Sequence, residues 1–418
     1  MLGMTNRRTG SWPASRVASV SYAAAAAAAI AVFGYLVLWA RGDGLDLTVY
    51  RDAVHYWWTG GNPYLAAFTH SRLRFTYPPF AFPALSPLNW TPFPVTQWLL
   101  WAASIGAGTG SVVLVLRERG IKVTPPVWCG ALALSCISVI VLEPVRSAID
   151  YGQVELVLMF VVVADLLLVP RPYRGVLTGI AAAIKLTPLV FGILLLVSRD
   201  MKSALRMAVS FVACTALSWL LWPKLSRTYW LHDLLDPGRA GSLSYAGNQS
   251  WNAILHRSPF PATGSTAAWF VLSLLTLIVS TFVAWRLVSS GHRALAILPV
   301  ALAGLLASPI SWTHHWVWLL LIPPMMVPRR SADVARPVQA LLWGLVALTV
   351  LAPYWWVTHG IGADVLGAIL PLWAAAVLVV WAVSCAPRQG WRAELRPWPA
   401  QRRGAAPGMP ASGPAARR

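Results

Sequence analysis

The chain has 418 residues, of which 57% are hydrophobic and only 11% charged, and its mean hydropathy is +0.60. A water-soluble fold of this size would lack the polar side chains to cover its surface, so composition excludes an ordinary soluble protein and points to a helical membrane protein. The net charge of +19 lies mainly in short connections between apolar runs, which makes it a topology signal; nucleic acid is not an expected partner.

In chain order, a basic N-terminus (1–18, with Arg7, Arg8 and Arg16) precedes an alanine-rich apolar run. That run is too long, and lacks a clear small-residue cleavage motif, for a removable signal peptide. Apolar runs long enough to approach the ~20 residues needed to cross a bilayer fall near 19–40, 94–116, 124–142, 154–169, 203–222, 266–288, 294–308, 315–328, 338–353 and 363–384. The segment 174–199 has basic flanks and carries Lys185-Leu186-Thr187-Pro188 at its middle, which predicts a broken helix pair rather than one crossing. Counting that pair as two gives an all-α, polytopic protein of about twelve membrane segments, with both termini cytoplasmic and the basic connections inside. The membrane domain covers 19–385, and the Pro-, Gly- and Arg-rich stretch 386–418 reads as a disordered cytoplasmic tail able to touch anionic lipid. Cys129, Cys136, Cys214 and Cys385 lie in or at the end of apolar runs, so no disulfide framework is expected.

This topology leaves outward loops at 41–92, 143–153, 223–265 and 308–315, which hold much of the chain's small acidic content. In the first loop, Val49, Tyr50, Ala53, Val54, Trp57 and Trp58 recur at helical spacing, as in an amphipathic helix on the outer membrane surface. Asp46 opens that helix, either as its N-cap with Asp43 in a turn, or as a general base. Tyr64 and Tyr77 lie in Pro-fixed aromatic turns that suit a sugar ring or a lipid, or simply the interfacial aromatic belt. Glu143, Arg146 and Asp150 bracket the second loop and are expected to form a structural ion pair. Asn248, Gln249 and Arg257 belong to a dense polar cluster in the third. Trp312, His314 and His315 join two apolar runs at the outer surface, where a histidine either donates to a phosphate or serves packing. Lys185, an ionisable residue inside a span, either meets a lipid phosphate or neutralises a buried carboxylate such as Asp150 or Glu155. No metal cluster and no cofactor is expected.

Taken in order, Asp46-Leu47-x-Val49-Tyr50, Gly61-Asn62-Pro63-Tyr64, Phe75-Thr76-Tyr77-Pro78-Pro79, Gly152-Gln153, Lys185-x-Thr187-Pro188, Asn248-Gln249-Ser250 and Ser308-Pro309-x-Ser311-Trp312 resemble glycosyltransferase family 87 over residues 40–320. The resemblance implies a GT-C fold and an enzyme that takes a sugar from a polyprenyl-phosphate donor on the outer face. The best-known members of the family are actinobacterial α-(1,2)-mannosyltransferases that act on phosphatidylinositol mannosides and lipomannan. It further implies Asp46 as the catalytic base of an inverting transfer. His314 or His315, Lys185 and Arg257 would then lie near the donor phosphate, with Tyr50, Tyr64, Tyr77, Gln153, Asn248, Gln249 and Trp312 around the substrates. The expected partners are a polyprenyl-phosphate-linked sugar, a glycolipid or lipoglycan acceptor, and membrane lipids. An arabinofuranosyltransferase with a decaprenyl-phosphate donor, and a lipid-linked sugar transporter or flippase, stay open as alternatives.

Overall fold

The computed structural model describes residues 14–38, 44–257, 265–327, 334–357 and 360–385. The expected turn at Asp43, the arginines Arg7 and Arg8, and the basic tail lie outside the described residues. The first half is built from α1 (Ala14–Leu38), α2 (Leu45–Trp58), α3 (Ala81–Leu85), α4 (Phe93–Glu118), α5 (Pro125–Val141), α6 (Glu143–Asp150) and α7 (Glu155–Leu167). There follow α8 (Val176–Ile184), α9 (Gly192–Val197), α10 (Met201–Leu221), α11 (Pro223–Leu231) and α12 (Trp251–Arg257). The last five are α13 (Ser265–Ser289), α14 (Arg293–Ala307), α15 (Ile322–Met325), α16 (Arg336–Leu351) and α17 (Gly360–Ser384). Extended pairing among the described residues is confined to two isolated bridges, Phe68 with Leu73 and Asn248 with Trp312.

Among the described residues, six helices are long and apolar enough to cross a membrane, or seven spans if α5 and α6 are one span bent by 82°. The other apolar runs form shorter pieces packed among these. α14 is the clearest case, since Leu295, Ile297, Leu298, Val300, Leu302 and Leu306 are all buried although they point in every direction around the helix. A helix apolar all round belongs in the centre, and α14 touches α4, α7, α9, α12, α13 and α17 there. On the outside the pattern reverses: Leu205 is 65% exposed and Leu220 78% exposed on α10. Such a face would be an aggregation surface in water and is the ordinary lipid-facing surface of a membrane helix.

Within 174–199 the helix is interrupted. α8 ends at Lys185, whose backbone is extended (φ −146, ψ 125), and the chain resumes as a 3-10 turn Thr187–Phe191 and then α9. The start of α8 is held by Asp165 of α7, which accepts from the Gly175 amide (3.0 Å), the Thr178 amide (3.0 Å) and the Thr178 hydroxyl (2.6 Å). A carboxylate on the free N–H groups of a helix start satisfies donors that have no intrahelical partner. Gly179 lets α8 press against α10: a Cβ there would overlap Ser210 Oγ and the Met207 carbonyl oxygen. The second outward loop, expected as 143–153, is mostly the helix α6, with Glu143, Val145, Ala148 and Ile149 turned inward.

Candidate active site

Asp46 does not cap its helix. Gly44 occupies the N-cap in the left-handed region (φ 49), and Asp46 lies in the first turn of α2. The Asp46 and Leu47 amides instead donate to the carbonyl oxygen of Tyr151 at 2.9 and 3.1 Å. With those donors satisfied by backbone, the Asp46 carboxylate is free to point elsewhere. This docking depends on Gly152 (φ +70), where a Cβ would come 2.6 Å from Leu47 Cβ. Gly152 thus brings the start of α2 against the turn that carries Gln153.

Gln153 is the centre of a buried polar network. Its Nε2 donates to Asp46 Oδ2 at 2.6 Å and lies 3.2 Å from His314 Nε2. Its Oε1 accepts from the Tyr50 hydroxyl at 2.5 Å and the Tyr77 hydroxyl at 3.3 Å, while the two tyrosine oxygens are 2.7 Å apart. The two amide hydrogens suffice for Asp46 and His314 together, which makes His314 Nε2 the unprotonated acceptor of a neutral ring. Desolvation pushes the Asp46 pKa up to about 6, against the opposing effects of the Gln153 hydrogen bond and the Lys185 ammonium.

Tyr77 links this network to a second cluster. Lys185 Nζ donates to the Tyr77 hydroxyl at 3.0 Å, pairs closely with Glu155 Oε1, and lies 3.4 Å from His315 Nε2. Of the two carboxylates open to Lys185 on sequence grounds, Glu155 is the one it pairs with; Asp150 accepts from the Tyr35 hydroxyl at 2.9 Å. His315 Nε2 is also 3.5 Å from Glu155 Oε1. Glu155, His314 and His315 place potential ligand atoms within 4.8 Å of one another, so the structure gathers a metal-capable set that the sequence reading had not anticipated. The ammonium of Lys185 already inserts a positive charge among them.

Lys185, Glu155 and His315 line a cavity of about 40 Å³, together with Ser308, Ser311 and apolar residues that include Phe191, Leu305 and Trp318. The buried Ser311 Oγ and His315 Nδ1 have no hydrogen-bond partner. Buried polar atoms without partners are uncommon, and these two stand beside the Lys185–Glu155 pair. Glu155, Ser308 and Ser311 were not among the expected site residues. Ser308 and Ser311 had been visible only as motif letters, and Glu155 only as one possible partner of Lys185.

Several expected contact residues have other partners. The Asn248 side chain accepts from the Ser311 amide at 2.9 Å and donates to the Leu243 carbonyl at 3.1 Å. The Gln249 amide nitrogen donates to the Ser311 carbonyl at 2.7 Å, and Nε2 donates to Ala246 at 2.6 Å. Both therefore pin the turn that leads to the histidine pair. Arg257 donates to the carbonyls of Tyr245 (3.0 Å), Asn248 (3.0 Å) and Gly367 (2.8 Å), fastening α12 to α17. Tyr64 is buried and donates to the Tyr77 carbonyl at 2.7 Å. Trp312 packs on Tyr245, with ring centroids 6.0 Å apart. The ion pair expected around Arg146 gives way to neutral donors: Glu143 accepts from Ser147 (2.6 Å), Thr313 (2.9 Å), Tyr354 (2.8 Å) and Trp355 (3.2 Å). Through Thr313, Glu143 fixes the residue next to His314.

The model of glycosyltransferase family 87 matches residues 75–309. The chain belongs to that family. It is therefore a glycosyltransferase, and the matched region takes in Tyr77, Gln153, Glu155 and Lys185 while leaving Asp46 and the histidine pair outside. Polyprenol-phosphate-mannose-dependent α-(1-2)-phosphatidylinositol pentamannoside mannosyltransferases provide two relatives. That of Mycolicibacterium smegmatis is 36% identical over 288 residues, 68% of this chain and 68% of the relative. That of Mycobacterium tuberculosis is 36% identical over 295 residues, 68% of this chain and 65% of the relative. A polyprenol-phosphate-mannose-dependent α-(1-2)-phosphatidylinositol mannoside mannosyltransferase of M. smegmatis is 31% identical over 369 residues, 80% of this chain and 83% of the relative. No solved structure matches the chain.

Proposed function

We propose that this family 87 enzyme transfers a mannosyl residue from a polyprenyl-phosphate donor to a glycolipid or lipoglycan acceptor. The observation that carries this reading is the single network in which Gln153 and Tyr77 join a carboxylate, Asp46, to a cavity lined by the Lys185–Glu155 pair, His315 and Ser311. An acceptor hydroxyl attacks the anomeric carbon as its proton passes to Asp46. The bond between that carbon and the phosphate oxygen breaks, and the electron pair leaves with the polyprenyl phosphate. Lys185 and the Ser311 hydroxyl stabilise the charge that builds on the departing group. Attack from the Asp46 side and departure on the Lys185 side invert the anomeric centre. We place this site on the extracytoplasmic face with both termini cytoplasmic, because the basic connections then lie inside.

A donor panel tests the reading. Purified protein given mannosyl and arabinofuranosyl polyprenyl phosphates is expected to form a new glycosidic bond from the mannosyl donor. Turnover of the arabinofuranosyl donor alone, or movement of lipid-linked sugar across vesicles without bond formation, would contradict it.

The base also sets a pH dependence. Asp46 must be ionised to accept a proton, so kcat/KM is expected to rise with pH through about 6, the elevated value of its carboxyl. Gln153→Leu removes a donor that favours the carboxylate, so the acid limb should move to higher pH and the maximum rate should fall. An acid limb that stays in place in this variant would mean that another group titrates.

A further inference from the structure

A second cavity, of about 130 Å³, lies over the Ser308–Ile310 turn and is lined by Thr76, Tyr229, Asp233, Asp236, Arg239 and Ser308 among others. We infer that it is the subsite for the sugar headgroup of the acceptor, a neutral ring bearing vicinal hydroxyls. This rests on the transferase reading above and extends it to the second substrate.

Position comes first. Ser308 lines this cavity and also the one that holds Lys185 and His315. Thr76 lines it too, and the next residue, Tyr77, bonds to both Gln153 and Lys185. The two spaces therefore adjoin at Ser308, and the Thr76–Tyr77 stretch of the wall leads on to Gln153, the hydrogen-bond partner of Asp46. A single water needs only about 10–15 Å³, so the volume suits a larger polar guest.

The chemistry of the lining selects that guest. The Asp233 side chain is only 10% exposed, and its Oδ2 pairs with Arg239 at 3.2 Å while having no hydrogen-bond partner. Arg239 is held in turn by the Tyr64 carbonyl oxygen at 2.5 Å. A fixed carboxylate beside a fixed guanidinium offers an acceptor and donors at the spacing of neighbouring hydroxyls. The buried ring of Tyr229 adds a flat apolar wall for the C–H face of a sugar. Asp233 and Asp236 stand against Arg239, with Arg74 also acting on Asp233, so the charges largely cancel and a neutral hydroxyl-bearing ring is matched better than an ion; the donor phosphate belongs with Lys185 instead.

The test uses the full-length protein with Asp236→Asn and Thr76→Ala, both exposed positions whose side chains hold no part of the Asp46 or Lys185 network. Each variant is expected to raise acceptor KM about three- to tenfold, the scale of one hydrogen bond. Donor KM and the slow hydrolysis of donor without acceptor should stay at wild-type values, which also shows that the variants fold. Transfer by the wild type with acceptor KM unchanged in both variants overturns the subsite alone. A rise in donor KM instead also overturns it, assigning the cavity to the donor sugar. Absence of any transfer by the wild type overturns the transferase reading and the subsite with it.

Discussion

Protein carrying Asp46→Asn is expected to lose transfer by about 10²–10⁴-fold in kcat while its donor KM stays near the wild-type value. The substitution is nearly isosteric, and an asparagine oxygen can still accept the Gln153 hydrogen bond, which is 2.6 Å long in the native site. The start of α2 is held by backbone bonds to Tyr151, so the side chain is not needed to keep the helix in place. What disappears is the ability to take a proton. Steady-state kinetics on purified variant protein check this, and turnover within a few-fold of wild type would remove Asp46 as the base.

The second large effect concerns the Lys185–Glu155 pair. Lys185→Met is expected to lower kcat by about 10²–10³-fold, because a fixed positive charge no longer meets the leaving phosphate. It should also destabilise the protein by about 3–5 kcal/mol, since Glu155 is left buried without its partner. The double substitution Lys185→Met with Glu155→Gln separates the two consequences. Thermal unfolding should recover much of the lost stability in the double variant, whereas transfer should stay low. Recovery of transfer together with stability would reduce Lys185 to a structural role.

Much of this site was legible because the bilayer makes ionisable residues conspicuous. Lys185 inside an apolar segment, Asp46 directly after the first span and the adjacent histidines each stood out against surroundings that penalise charge. The break at Lys185 was legible for the same reason, reinforced by Pro188. The partners were harder to read. Asn248 and Gln249 look like substrate ligands in a sequence, because an amide that will bond to a sugar and one that will bond to the Ser311 backbone have the same letters. Asp46 was open to reading as an N-cap, and only the approach of Tyr151, permitted by Gly152, shows its carboxylate released toward Gln153. α6 is 8 residues long, too short to show helical periodicity, and so was read as a loop. The apolar runs were counted as equals because hydropathy does not reveal that α7 and α14, of 13 and 15 residues, are short helices packed among longer ones. His314 and His315 could not be told apart by spacing; in the fold one ring faces Gln153 and the other faces Lys185.

The central claim is that donor phosphate and catalytic carboxylate occupy opposite sides of the Gln153 and Tyr77 layer. A cryo-electron-microscopy structure of the Asp46→Asn variant with bound polyprenyl-phosphate mannose tests it most directly. The phosphate is predicted within hydrogen-bond reach, about 3 Å, of Lys185 and of His315 or Ser311, with the anomeric carbon between it and residue 46. A phosphate held at Arg257, or one with residue 46 on the same side of the anomeric carbon as the leaving oxygen, would contradict it.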